Sequence, residues 1–108
     1  MILYVNACAR PDSRTDQLAR ALLQKLGPYE ELRLYDEPLR PMDAHRIALR
    51  DALLSQKDYG AEMFRYARQF AAAEQIVLSA PLWDLSFPAQ LKIYLENIFV
   101  TGIVTRYS

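Results

Sequence analysis

The chain has 108 residues, 52% of them apolar and 24% charged, a composition that fits one soluble globular domain spanning residues 1–108. Thirteen basic and thirteen acidic side chains cancel to a formal charge of zero, so no global field draws the protein to nucleic acid or anionic lipid, and a small neutral or anionic ligand is the expected partner. Cys8 is the single cysteine, which excludes an internal disulfide and a cysteine zinc cluster; with no apolar run suited to a signal peptide or a membrane span, the cytoplasm is the expected compartment.

The apolar run from Ile2 to Asn6 reads as a buried strand, and its position in the pattern predicts a central one. Ser13 stands where a helix N-cap belongs, with Asp16 three residues later as a weaker capping box. Leu18, Leu22 and Leu26 then give the helix an i, i+4, i+8 stripe expected to face the core. Gly27-Pro28 stops that helix, and Glu31, Leu32, Arg33, Leu34 and Tyr35 alternate as an edge strand with one solvated face would. Residues 36–41 form a proline-containing loop, and residues 43–55 have helical composition. After a break at residues 57–60, Met63, Phe64, Ala67, Phe70 and Ala71 mark one face of another helix. Ile76, Val77 and Leu78 predict a third, buried strand. Pro88 is suited to begin a last helix with Leu91, Leu95, Ile98 and Phe99 on its apolar face and Thr101-Gly102 at its end.

Strands alternating with helices predict parallel pairing through right-handed crossovers. If the first strand is central the order is 2-1-3, with helices on both faces and a switch point between strands one and three, where such folds bind ligands. The loops over residues 7–15 and 80–87 meet there. In the first loop, Ser13, Arg14 and Thr15 combine hydroxyls, free backbone amides and a positive helix end, all suited to a phosphate, with Arg10 or Arg14 adding charge. Asp12 and Asp16 oppose an anion, and Ser13 serves equally well as a plain N-cap. The segment lacks the Rossmann glycine pattern and the Walker lysine.

In the second loop Pro81 stiffens the strand exit, Trp83 can cover a flat ring, and Asp84 can hydrogen-bond a polar ring edge. Taken singly, Trp83 is more often a packing residue and Asp84 equally a turn residue. Together the two loops point to a flavin nucleotide. Cys8 has no evident base beside it and reads as a small buried hydrophobe. His45, the only histidine, reads as a surface residue, which leaves a hydrolytic triad or a histidine metal site little to build on. Tyr94 and Tyr107 could reach an interface or solvent.

The run Ile2-Leu3-Tyr4-Val5-Asn6, then Ser13-Arg14-Thr15, Ala80-Pro81-Leu82-Trp83-Asp84, Pro88-Ala89-Gln90-Leu91-Lys92 and Thr101-Gly102-Ile103 resembles the flavodoxin-like NAD(P)H dehydrogenase (quinone) and azoreductase family over nearly the whole chain. The resemblance implies a three-layer flavodoxin-like α/β fold and a homodimeric FMN-dependent oxidoreductase. Such an enzyme takes a hydride from NAD(P)H and reduces quinones, azo compounds or similar small acceptors. It implies further that Ser13, Arg14 and Thr15 hold the FMN phosphate, that Pro81, Leu82, Trp83 and Asp84 line the isoalloxazine, and that no side chain acts as acid or base. The family's sheet has five strands, so the chain is expected to be a version truncated to about three strands. The alternative expectation is an association module, without tight FMN binding, that uses the open edge of its third strand.

Overall fold

A computed structural model describes residues 1–11, 13–81, 87–100 and 103. Three parallel strands, β1 (Ile2–Asn6), β2 (Tyr29–Arg33) and β3 (Gln75–Ser79), lie in the order β2-β1-β3, as the alternation of elements predicts. Ile2 pairs with Tyr29 on one side and Gln75 on the other, and the register runs unbroken to Asn6, opposite Arg33 and Ser79. With both its edges paired, β1 is buried from Leu3 onward.

The pleat of β1 divides the core. Leu3 and Val5 point to the face covered by α3 (Arg65–Ala72) and α4 (Ala89–Ile98), packing with Leu32, Tyr66, Leu91, Tyr94 and Ile98. Tyr4 points to the opposite face, where α1 (Arg14–Leu26) supplies Ala19 and Leu23 and β3 supplies Val77. Helices on both faces complete the three layers. A third cluster of Phe64, Ala67 and Val100 is joined by Leu53 and Leu54 of α2 (Ala44–Ser55), whose first turn is capped by the Asp43 carboxylate accepting from Arg46 N–H at 2.9 Å.

Several expected positions move. The buried stripe of α1 is Asp16, Ala19 and Leu23, and the leucine stripe is displaced: Leu18 is 74% exposed, with Leu22 and Leu26 exposed as well. Instead α1 packs on β1 and β3 with the side that carries its small residue, Ala19, next to Leu23. The second strand lies two residues earlier than the alternation suggests; Leu34–Asp36 form a 3-10 turn that turns Leu34 into the core. Pairing with β1 selects this frame despite its two glutamates. Of the helix-face residues around α3, Ala71 is exposed and Tyr66 is buried in its place. In α4 the helix stops at Ile98, leaving Phe99 exposed, while Tyr94 is core, 1% exposed, rather than at an interface or in solvent. The third strand is buried only in part: Val77 is enclosed, but Leu78 is 50% exposed, on a strand whose outer edge has no partner among the described residues.

Candidate functional site

The carboxyl ends of β1 and β3 lie side by side. Ala7 N–H donates to the Ser79 carbonyl at 2.8 Å, carrying the β1–β3 ladder one residue past the strand. Cys8 follows, its N–H donating to Asn6 Oδ1 at 2.9 Å and its sulfur 3.5 Å from Ser79 Oγ. The starts of the two loops therefore touch, as the 2-1-3 order predicts. Cys8 is buried, in keeping with a packing role, and His45 is exposed on α2.

At the start of α1, Ser13 is the N-cap, with extended backbone (φ −62°, ψ 134°). Its carbonyl accepts from Gln17 N–H at 3.0 Å and its Oγ accepts from Asp16 N–H at 3.5 Å. These two bonds use the amides of the third and fourth helical residues. The amides of Arg14 and Thr15 have no partner among the described residues, which is the usual state of the first helical N–H groups. The Ser13 O–H and the Thr15 hydroxyl add donors, and exposed Arg14 adds a positive charge. This donor set fits a phosphate at a helix N-terminus. Of the ring-side residues, Pro81 is described and half-buried, immediately after Ala80; Leu82, Trp83 and Asp84 lie outside the described residues, as does Asp12.

Asp16 is turned inward and its charge is balanced. Its side chain, 4% exposed, points away from the helix end into a polar cluster. Tyr4 O–H donates to Asp16 Oδ1 at 2.6 Å, Asn6 Nδ2 approaches the same oxygen at 3.4 Å, and Arg20 Nε lies 3.1 Å from both carboxylate oxygens. Arg20 continues to Glu31 at 2.9 Å and to the Tyr29 hydroxyl at 3.1 Å, and Arg33 closes on Glu31 at 3.0 Å. With Arg20 balancing its charge, the carboxylate presents little negative field to an anion above the helix start. Burial alone would lower the Arg20 pKa, but the hydrogen bonds to Asp16 and Glu31 outweigh it and hold the guanidinium charged.

The Tyr4 hydroxyl also meets Ser79 Oγ at 2.6 Å. Its single proton is committed to the Asp16 carboxylate, so the Ser79 O–H donates to the Tyr4 oxygen, and the Cys8 thiol faces the lone pairs of Ser79. Burial first, and then the Asp16 hydrogen bond, push the Tyr4 pKa above its ordinary value, so the phenol stays protonated as a donor. Sequence reading missed Tyr4, Asn6, Ser79 and Arg20. The one available signal was a charged residue, Asp16, three and seven residues before Ala19 and Leu23 on a single helix face.

Among the described residues, no group of three or more His, Cys, Asp or Glu is placed to hold a metal ion, and no helix is long and apolar enough to cross a membrane.

Comparison with known proteins gives this geometry its context. The FMN-dependent NADH:quinone oxidoreductase 2 of Clostridium acetobutylicum is 36% identical over 99% of this chain and 57% of its own length. The FMN-dependent NADH:quinone oxidoreductase of Lachnoclostridium phytofermentans is 34% identical over 99% of this chain and 58% of its own length. Among solved structures, an azoreductase from Bacillus anthracis superposes with a TM-score of 0.84 at 25% identity, covering 99% of this chain and 59% of that one. The chain thus spans less than three-fifths of the proteins it matches. The sequence profile of the Flavodoxin-like fold family matches residues 1–108, and the chain belongs to that family.

Proposed function

We propose that the chain carries the FMN-binding part of a cytoplasmic, oligomeric NAD(P)H oxidoreductase that reduces quinones, azo compounds or similar small acceptors. The observation that carries this reading is the meeting of Ala7 and Cys8 with Ser79, which sets the open α1 start and the loop at Pro81 beside one switch point. The names of the quinone oxidoreductases and the azoreductase it matches support the same chemistry.

In this reading the Arg14 and Thr15 amides and the Ser13 and Thr15 hydroxyls hold the phosphate, and Arg14 adds charge. Pro81, Leu82, Trp83 and Asp84 line the isoalloxazine. When bound, FMN supplies the redox chemistry, accepting a hydride from NAD(P)H and releasing reducing equivalents to the acceptor. The side chains bind and orient it, and none acts as an acid or base. Residues 1–108 act as a single unit in this proposal, spanning less than three-fifths of the relatives' length.

The test replaces Ser13 and Thr15 with alanine and compares FMN with riboflavin, which lacks the phosphate. Each hydrogen bond lost to a charged acceptor is worth about 1.5–3 kcal/mol, so FMN affinity falls at least about tenfold while riboflavin affinity changes little. Equal losses for both ligands would sink the phosphate assignment. Trp83, the sole tryptophan, should be quenched by bound flavin, and unchanged emission counts against its place on the ring.

One observation favours a second reading. Leu78 on β3, whose outer edge has no partner among the described residues, is apolar and exposed, and so is Leu18 on α1, which suits an association module that binds another chain and does not bind FMN tightly.

A further inference from the structure

We propose that Tyr4 is a positioning residue whose hydroxyl fixes the spacing between the two halves of the flavin site. The inference rests on the FMN reading above. Tyr4 lies mid-strand in β1, and its oxygen joins one residue from each side. Asp16 is in the first turn of α1, one residue after Thr15, and Ser79 ends β3, two residues before Pro81. Both links measure 2.6 Å, at the short end of the O–H···O range, and Tyr4, Asp16 and Ser79 are all nearly or fully buried.

Packing does not require this hydroxyl. The ring of Tyr4 fills the space among Ala19, Leu23 and Val77, and a phenylalanine ring would do the same. What the oxygen adds is a directional chain in which Ser79 donates to Tyr4 and Tyr4 donates to Asp16, so the helix start and the β3 exit hold one relative placement. Arg20 secures the Asp16 end, and the Asn6 side chain braces Cys8 and Asp16 in parallel.

A tie between two half-sites matters only to a ligand that engages both. Under the FMN proposal the phosphate is held at the α1 start and the ring beyond Ser79 and Pro81, and riboflavin, lacking the phosphate, has no group for the α1 start. Deleting the hydroxyl therefore loosens the match for FMN and leaves riboflavin nearly unaffected, whereas simple core damage lowers the folded fraction and weakens both ligands by the same factor.

The experiment measures dissociation constants of FMN and riboflavin for the full chain and for Tyr4→Phe, with folded fraction followed by circular dichroism. The expected result is a loss of about tenfold for FMN and less than about twofold for riboflavin, so that the preference for FMN collapses. Ser79→Ala cuts the other end of the bridge without touching the Tyr4–Asp16 bond, and should give the same loss of preference should Tyr4→Phe fold poorly. An unchanged ratio of the two constants in a folded variant overturns the positioning role while leaving the FMN reading standing. A parent chain that binds riboflavin as tightly as FMN, or binds neither, overturns the FMN reading itself and this inference with it.

Discussion

The displaced leucine stripe of α1 provides a sharp test, because two leucines five residues apart on one helix should behave in opposite ways. Leu23 is fully buried against Tyr4, Ala19 and Val77, whereas Leu18 is 74% exposed. Truncating a buried leucine to alanine costs about 2–5 kcal/mol, the transfer of the lost carbons plus the cavity left behind. Among the described residues α1 alone covers this face, so the cluster has room to settle, and we place Leu23→Ala at about 3 kcal/mol. A chain of this size is stable by roughly 5–16 kcal/mol, and each kcal/mol shifts the melting temperature of such a domain by about 4–8 °C, giving a drop of about 12–24 °C. Leu18→Ala changes an exposed helical position between two good helix formers and should stay within about 0.5 kcal/mol. Urea and thermal unfolding followed by circular dichroism measure both. A cost for Leu18→Ala equal to or above that of Leu23→Ala would refute the placement of the helix.

The tyrosines and the end of α1 give two further expectations. Of seven tyrosines, Tyr4, Tyr66 and Tyr94 have raised pKa values, each chiefly through burial, with Asp16 adding for Tyr4, Glu37 for Tyr66 and Tyr66 for Tyr94. Because the folded value lies above the unfolded one, near about 10, the unfolded chain sheds protons first; the contribution is complete below that pH and is lost as pH climbs through the folded values. Alkaline titration at the phenolate band should leave Tyr4, Tyr66 and Tyr94 unionised until the chain unfolds, and their ionisation at about pH 10 in a folded chain would contradict this. Gly27 caps α1 with φ 114° and ψ −163° and donates to the Leu23 carbonyl at 3.0 Å, in a backbone region open essentially to glycine alone. A Cβ there meets nothing within 4 Å, so the cost of Gly27→Ala, about 1–3 kcal/mol, is purely conformational; a neutral variant in urea unfolding would show the backbone to be unstrained.

The sheet order was legible because Ile2 to Val5 form an apolar run while the later strand segments carry more polar residues, and because helices separate the strands. The Ser13 cap was equally legible, standing one residue before its helix, whereas Asp43, read as the first residue of a helical segment, is the cap of α2. The core-facing side of α1 was not. Periodicity of 3.6 marks two flanks of that helix, and the leucines outrank Asp16 on any hydropathy scale; only Tyr4, Asn6 and Arg20, brought together by the fold, make a buried carboxylate tolerable. The frame of β2 was hidden for a similar reason, since Glu31 sits in a strand because Arg20, Arg33 and Asn6 surround it. In the site, the topology brought the loop starts together as expected, but the Tyr4–Ser79 contact joins residues 75 apart and leaves no local trace.

The measurement that bears most directly on the central claim is the visible spectrum of the purified chain after incubation with FMN and gel filtration, with the mass of the eluting species recorded on the same column. The account predicts flavin absorbance co-eluting with protein in an oligomer, and loss of that absorbance when Ser13 and Thr15 are both alanine. Protein that elutes free of flavin under saturating FMN would contradict it, and an oligomer of such flavin-free protein would favour association through exposed apolar residues such as Leu78 on β3.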